Sequence, residues 1–297
     1  MKKIERLTED LRFVLPRSRG HLRDYIRYFF GVEVPDYVVT DGHSSAMDYI
    51  WDTFNADFLK KPRVSADAIV WANRGGGKTQ SAAIATVLDT IFKPNIQIRI
   101  LSGTGEQAGR LYEYFEKFIH LGYEQTIKDI KTWPRKKTIF KNGAMVEVLI
   151  QAETSVRGQH VHKLRCDEVE LFKDRVYEAA QYSTMSSNGY IAAFEVISTM
   201  HLSYGLMKRL LTNAEKKGQK IYKWNIWDVI ERCSRVCNAD CLLHKLCCGK
   251  AKKGKGYFGI NDVITQLGRT KDRSFFYEML CGEDLKKTFD RVVVRRY

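Results

Sequence analysis

The stretch that most constrains the fold is WANRGGGKTQSAA, which runs from Trp71 to Ala83. The apolar run DAIVWA at 67–72 predicts a strand before the glycines, and apolar residues at helical spacing predict a helix after them. Glycines between a strand and a helix allow backbone N–H groups to converge on an anion at the helix N-terminus. We therefore predict a phosphate-binding loop at this position.

Residues 72–79 read A-N-R-G-G-G-K-T and fit the pattern G-x-x-x-x-G-K-[ST], except that Ala72 replaces the first glycine. Lys78 is predicted to bind the β- and γ-phosphates of a nucleotide, and Thr79 to bind Mg²⁺. The remaining residues of the predicted nucleotide site are Arg74, Gly75, Gly76, Gly77 and Gln80. The alternative is an ordinary glycine turn followed by an incidental Lys-Thr pair.

A candidate partner for this loop is the acid pair Asp167-Glu168 in VHKLRCDEVE, where it ends a second strand-like run. Asp167 is predicted to hold Mg²⁺ through water, and Glu168 to polarise the water that attacks the nucleotide. Such a pair indicates an ATP hydrolase rather than a GTPase or a small-molecule kinase. The alternative is an exposed acidic helix start, because carboxylates favour the first helical turn.

Strand-like and helical runs alternate along much of the chain and predict an α/β fold with a mostly parallel sheet. IQIRILSG at 96–103 reads as a strand, and KTIFKNGAMVEVLI at 137–150 as two strands around an Asn-Gly turn. We divide the chain into an N-terminal helical segment at 1–66, a P-loop ATPase core at 67–215, and a small lid or linker subdomain at 216–297.

The charge balance favours a polyanionic partner, because 49 Lys and Arg against 35 Asp and Glu give a formal net charge of +14. Basic runs at 16–27, 131–137 and 250–256 are candidates for non-specific contacts with nucleic-acid phosphates; the alternative is solvated surface. The sequence has no apolar run long enough to span a membrane. Its first residues lack the apolar region of a secretory signal, so we expect a cytoplasmic protein with no membrane partner.

Five of the seven cysteines crowd together between residues 233 and 248, which in a reducing compartment indicates a metal. The predicted ligands are Cys233, Cys237, Cys241 and Cys247, with Cys248 and His244 as substitutes. The run lacks the C-x₂-C knuckles typical of zinc, so Zn²⁺ and a [4Fe–4S] cluster both stay open, as does a set of free thiols. Such a metal would stabilise the lid. Cys166 and Cys281 are predicted to be packed core thiols.

Four stretches resemble, in order, motifs of the large terminase subunits that package DNA in tailed bacteriophages. They are WANRGGGKT at 71–79, SVRGQHVHKLRCDEVE at 155–170, STMH at 198–201, and WNIWDVIERC running through the cysteines into FFYEMLC at 224–281. The resemblance implies an ASCE-type P-loop ATPase that works as a ring, pentameric in this family, around double-stranded DNA. It also implies docking on a portal protein at the procapsid in the host cytoplasm, and recruitment with a small terminase subunit.

The resemblance assigns roles to further residues. Arg157 corresponds to an arginine finger that reaches into the ATP site of a neighbouring subunit; the alternative is a surface arginine. Arg74 would sense the γ-phosphate or face a neighbour, or be structural. Ser198 and Thr199 correspond to a motif that couples ATP state to the lid; the alternative is a strand end with turn hydroxyls.

Large terminases also carry a C-terminal nuclease domain, and this chain stops about where that domain would begin. We therefore expect no nuclease activity from these residues. The predicted function is an ATP-hydrolysing motor that translocates double-stranded DNA into a viral procapsid. Two alternatives remain open, which are another nucleic-acid-dependent ATPase such as a helicase, and a non-hydrolysing DNA-binding scaffold protein with a vestigial ATP site.

Overall fold

The structure is a computed structural model of the chain. It describes residues 11–58, 66–102, 105–132, 136–149, 152–158, 160–201, 204–217, 219–238, 240–270 and 272–282. Several predicted features therefore extend beyond the described residues. The parts outside are residues 1–10 and 59–65 of the helical segment, residues 103 and 150 at the ends of predicted strands, residues 133–135 of one basic run, residue 159 of the stretch at 155–170, and residues 218, 239, 271 and 283–297 of the predicted lid.

The described chain contains one eight-stranded sheet, in which the strands lie in the order β3-β4-β5-β2-β6-β7-β1-β8. The strands are β1 (Ala68–Ala72), β2 (Gln97–Ser102), β3 (Ile127–Lys131), β4 (Lys137–Phe140), β5 (Met145–Leu149), β6 (Lys163–Asp167), β7 (Ala193–Ser198) and β8 (Ile221–Trp224). β4 pairs in antiparallel orientation with both of its neighbours, β3 and β5, and every other pairing among these strands is parallel. The predicted mostly parallel α/β fold is confirmed.

Helices cover the sheet. They are α1 (Arg19–Tyr25), α2 (Ala46–Asn55), α3 (Lys78–Phe92), α4 (Gly105–Ile119), α5 (Glu153–Val156), α6 (Asp174–Ala180), α7 (Leu206–Lys217), α8 (Ile226–Val229), α9 (His244–Cys247), α10 (Ile260–Arg269) and α11 (Asp272–Glu278). A π-helical turn, Ile26–Phe30, extends α1. None of the described helices is both long enough and apolar enough to cross a bilayer.

The central strand β1 shows how the sequence builds two hydrophobic layers. All five of its residues are buried, as expected for a parallel strand covered on both faces. Val70 packs into the hydrophobic cluster on one face, whereas Ile69 and Trp71 pack into the cluster on the other. Successive side chains of a strand point to opposite faces, so one apolar run stabilises both layers.

The predicted hairpin and the predicted strands at 67–72 and 96–103 are confirmed. β4 and β5 pair in antiparallel register around a turn that contains Gly143, whose φ of 82° suits glycine. β8 lies beside β1 in the same sheet, so the sheet includes residues on both sides of the predicted boundary at 215. The division of the chain into three parts remains a prediction.

Candidate nucleotide-binding site

The carboxyl ends of β6, β7 and β1 meet at one edge of the sheet, because these three parallel strands are direct neighbours. The glycine loop follows β1, Asp167 ends β6, and Ser198 ends β7. This edge is where open α/β sheets bind ligands. The topology therefore brings together three motifs that are far apart in the chain.

The loop between β1 and α3 has the backbone that its glycines allow. Gly75 and Gly77 adopt φ angles of 72° and 76°, which strain any residue with a Cβ. A Cβ on Gly76 would come within 2.4 Å of Asn73 Oδ1. The loop leads directly into the N-terminus of α3, where unpaired N–H groups and the helix dipole favour an anion.

Lys78 and Glu168 form an ion pair across this edge. Lys78 Nζ lies 2.8 Å from Glu168 Oε1, and the two side chains are 9% and 20% exposed. Glu168 adopts a left-handed conformation with φ 54°, which is uncommon for a residue other than glycine. Its second oxygen, Oε2, is buried and has no hydrogen-bond partner among the described residues. Within the described part of the protein, only one of the two carboxylate oxygens of Glu168 therefore has a partner.

Thr79 and Asp167 make the second contact between the loop and the acid pair. Thr79 Oγ1 donates to Asp167 Oδ2 at 3.1 Å. Burial raises the pKa of Asp167 to about 6; the Glu168 charge adds to this rise, and the Lys78 charge opposes it. A hydroxyl beside a buried carboxylate is an oxygen donor pair suited to Mg²⁺.

Ser198 and Thr199 differ in the hydrogen bonds that their hydroxyl groups make at this edge. Ser198 is buried; it accepts the backbone N–H of Glu170 at 3.2 Å and donates to the carbonyl of Thr199. Thr199 lines the cavity above the glycine loop. Its buried Oγ1 has no hydrogen-bond partner among the described residues. The hydroxyl of Thr199 is thus available to a ligand, and that of Ser198 contacts the loop after the acid pair.

The cavity at this edge has a volume of about 800 Å³ and is lined by residues 74–80 together with Glu168 and Thr199. It therefore contains all of the predicted nucleotide-binding residues except the buried Asp167. Six further lining residues did not belong to the predicted site. They are Arg110, Tyr114, Leu171, His201, Tyr257 and Glu278.

The glycine loop is also held by residues that lie late in the sequence. Trp224 Nε1 donates to the carbonyl of Gly76 at 2.7 Å, and the Tyr257 hydroxyl donates to that of Gly75 at 3.1 Å. Sequence reasoning missed both contacts, because each depends on long-range packing. The only signal was the aromatic residues themselves, in WNIW and in the lysine-glycine run that ends in YF.

Arg157 does not line the nucleotide cavity. It is exposed and lines a separate cleft with Arg175 and Tyr182. Its predicted role, which requires a neighbouring subunit, stays a prediction.

The clustered cysteines surround one small cavity of about 170 Å³, which His244 also lines. Cys247 is buried, and its sulfur accepts the Ala251 N–H at 3.2 Å. Burial raises the pKa of the Cys247 thiol. In the part of the chain that the structure describes, no group of three or more His, Cys, Asp or Glu side chains is arranged to hold a metal ion. The structure thus does not confirm the Zn²⁺ or iron–sulfur prediction. Cys166 and Cys281 are buried, as predicted.

The basic runs differ in what surrounds them. Arg19 in the first run is paired with Asp36 and Asp48, so its charge is already compensated. Lys252, in the run at 250–256, is exposed and donates to the carbonyl of Arg235. DNA contacts at these runs remain a prediction.

No protein-family model matches the chain, and no curated protein matches it in sequence. Among solved structures, the large terminase of bacteriophage HK97 aligns with a TM-score of 0.59 and 17% identity, over 88% of this chain and 54% of that one. The chain has the fold of a phage large terminase. It spans about half the length of the HK97 protein. The expected resemblance is confirmed at the level of the fold.

Two further solved structures are similar at lower scores. A large terminase from a thermophilic bacteriophage, in complex with ADP, aligns with a TM-score of 0.46 and 13% identity, over 60% of this chain and 44% of that one. The large terminase ATPase domain of Thermus phage P74-26 aligns with a TM-score of 0.43 and 9% identity, over 78% of this chain and 96% of that one. The HK97 comparison alone supports the fold assignment here.

Proposed function

We propose that this chain is the ATP-hydrolysing motor part of a large terminase, which drives double-stranded DNA into a viral procapsid. One observation carries the proposal. In a terminase-like fold, Lys78 and Thr79 of the glycine loop contact Glu168 and Asp167 across the carboxyl edge of the sheet. These four residue types in this arrangement are those that ATP hydrolysis needs.

The residues fit ATP with Mg²⁺. The glycine loop and the N-terminus of α3 supply backbone donors for phosphate, and Lys78 supplies a positive charge. Thr79 would bind Mg²⁺ directly, and Asp167 would hold it through water. When bound, Mg²⁺ neutralises charge on the phosphates. Oε2 of Glu168 and Oγ1 of Thr199 are buried polar atoms without a partner among the described residues, and the attacking water or the nucleotide would bind them.

In the proposed reaction, phosphate oxygens compete with Glu168 for the ammonium of Lys78. Release from Lys78 lets the Glu168 carboxylate accept a hydrogen bond from water and orient it toward the γ-phosphate. Arg157 of a neighbouring subunit would stabilise charge on the transferred phosphoryl group. Ser198 connects the state of the acid pair to the end of β7, because it contacts the backbone of Glu170.

The proposed partners follow from charge and from the resemblance. A net charge of +14 favours contacts with the DNA backbone. A pentameric ring, a portal protein and a small terminase subunit complete the proposed assembly at the procapsid portal in the host cytoplasm. The residues of this chain are proposed to carry no nuclease activity.

We also propose that the clustered cysteines hold Zn²⁺ or an iron–sulfur cluster, because five thiols line one small cavity. The test is metal analysis and thermal melting of the purified chain, with Cys233→Ser/Cys241→Ser as the variant. Bound metal that is lost in the variant together with a lower melting temperature is the expected result. A metal-free wild type, or unchanged melting, removes the proposal.

The proposed motor is tested by measuring ATP hydrolysis against protein concentration, with and without double-stranded DNA. The variants are Glu168→Gln and Arg157→Ala, and a mixture of both. We expect the rate per subunit to rise with concentration and to fall about 10²–10⁴-fold in Glu168→Gln. We also expect the mixture to recover activity, because intact Arg157 of one subunit then serves intact Glu168 of another.

Other outcomes favour the alternatives. A rate that is independent of concentration, with Arg157→Ala silent, indicates a site that acts within one subunit. Stimulation by single strands together with duplex unwinding indicates a helicase. Wild-type protein that binds DNA without hydrolysing ATP, and in which Glu168→Gln changes nothing, indicates a scaffold protein.

A further inference from the structure

Glu278, at the end of α11, contacts the glycine loop twice. Its carboxylate Oε2 lies 2.6 Å from Arg74 Nε, and its backbone carbonyl accepts the N–H of Arg74 at 2.8 Å. Both side chains line the nucleotide cavity. No motif predicted a role for Glu278, which lies far from Arg74 in the sequence.

The same carboxylate also faces the strand that ends in the predicted coupling residues. Oε1 of Glu278 lies 3.5 Å from His201 Nδ1, and His201 is three residues after Ser198. Glu278 therefore lies between the phosphate-binding loop on one side and the segment after β7 on the other. Its side chain is 23% exposed, whereas that of Arg74 is 67% exposed. The guanidinium has room to turn.

Charge decides which partner Arg74 prefers. A carboxylate offers one negative charge, whereas the phosphates of ATP offer several within reach of the same cavity. Arg binds phosphate in a bidentate geometry that strengthens each hydrogen bond. An ion pair of this exposure stabilises a protein only slightly. A nucleoside triphosphate can thus displace Glu278 from Arg74.

We propose that Glu278 is a positioning residue that competes with the γ-phosphate for Arg74. Its release links triphosphate binding to α11 and to His201. This inference rests on the proposed ATPase function. Competition and a purely structural role of Glu278 predict opposite changes in ATP affinity when its charge is removed. If Glu278 competes, removing its charge tightens ATP binding; if Glu278 only supports the loop, removing its charge weakens binding.

The experiment measures dissociation constants for ATPγS and ADP by calorimetry with wild type, Glu278→Gln, Arg74→Ala and the double variant. We expect Glu278→Gln to tighten ATPγS binding about two- to fivefold, as the release of an ion pair of this kind allows. ADP affinity should change less, because ADP lacks the γ-phosphate. The double variant should match Arg74→Ala, since Glu278 acts through Arg74.

Asp174→Asn is the matched control. It neutralises an acid in the exposed ion pair with Arg209, outside the cavity, and should leave both affinities unchanged. Weaker or unchanged ATPγS binding in Glu278→Gln overturns the competition, as does an effect of Glu278→Gln that persists without Arg74. Wild type that fails to bind ATPγS overturns the proposed function as well.

A second measurement uses only the wild-type chain. Hydrogen exchange of the amides at 275–279 should speed up when ATPγS binds and stay slow when ADP binds. Equal exchange with both nucleotides, in protein shown to bind both, contradicts the competition.

Discussion

Two groups of polar and charged residues lie on the same helix and strands, but their side chains are paired to very different extents. The nucleotide edge, defined by Lys78, Thr79, Asp167, Glu168 and Thr199, lies where α3 begins and where β6 and β7 end. The buried ion cluster lies deeper, against the same helix and strands. It consists of Asp57, Asp89, Lys93, Lys163, Arg165 and Glu195.

The buried ion cluster is balanced, with three acids and three bases that are all at most 1% exposed. Arg165 on β6 joins three elements. It donates to Asp89 of α3 at 2.6 Å and to Glu195 of β7 at 3.1 Å, and it also bonds Thr86. Burial alone would raise the pKa of Asp89, but the three buried cations beside it outweigh burial and lower that pKa.

The nucleotide edge lacks this balance. Glu168 Oε2 and Thr199 Oγ1 have no partner among the described residues, and the pKa of Asp167 is raised to about 6. The buried ion cluster is thus fully paired, whereas the nucleotide edge leaves polar atoms without partners among the described residues, at the place where a ligand or water would bind. Buried charges without partners are costly unless something else compensates them.

The largest effect is expected when the buried ion cluster is broken. Arg165→Met leaves the buried Glu195 carboxylate with the Tyr49 hydroxyl as its one remaining side-chain bond within the described chain, which should reduce the free energy of unfolding by about 3–5 kcal/mol. Urea denaturation measures this loss. The double variant Arg165→Met/Glu195→Gln should recover part of it, because both charges are then removed. A loss below about 1 kcal/mol would show that the pairing is unimportant.

Removing a charge from the nucleotide edge should instead raise the free energy of unfolding. The pKa of Asp167 is above its ordinary value of 3.8, so the folded state binds more protons, and wild-type stability falls as pH rises from about 4 to about 6. Asp167→Asn should therefore raise the free energy of unfolding by about 2–3 kcal/mol at about pH 8. The gain should vanish at about pH 3, below both pKa values, and ATP hydrolysis should be lost. If this variant is less stable than wild type above about pH 6, the charge of Asp167 does not destabilise the folded state.

A smaller effect is expected from the aromatic contact to the glycine loop. Trp224→Phe removes the N–H that bonds the Gly76 carbonyl, which should lower stability by about 1 kcal/mol and weaken ATP binding several-fold. Trp71→Phe is the control, since the Trp71 indole N–H is buried and has no partner among the described residues. Equal losses of ATP affinity in both variants would assign the effect to ring volume alone.

The smallest effect belongs to an exposed ion pair. Asp174→Asn breaks the contact with Arg209, where both side chains are more than half exposed. Water and salt screen this pair, so thermal melting should show a change of at most about 0.5 kcal/mol. A larger change would mean that an exposed ion pair contributes as much to the stability of this protein as a partly buried one.

Some features escaped sequence reasoning for a physical reason. β3 carries IKDIK and is largely exposed, so it has no apolar pattern to predict it. The buried ion cluster was also invisible, because charged residues inside strands look like surface residues until their partners are known. Trp224, Tyr257 and Glu278 reach the glycine loop only through long-range packing.

The sequence by itself determined the local parts, namely the strand, glycine loop and helix around 68–92, the hairpin around its Asn-Gly turn, and the alternation of strands and helices that is typical of a mostly parallel sheet. These depend on backbone freedom and apolar periodicity between near neighbours. Only the tertiary structure decided that β7 lies between β6 and β1, and that Glu278 meets Arg74. Those contacts join residues far apart in the chain, and burial selects them only when the whole sheet is assembled.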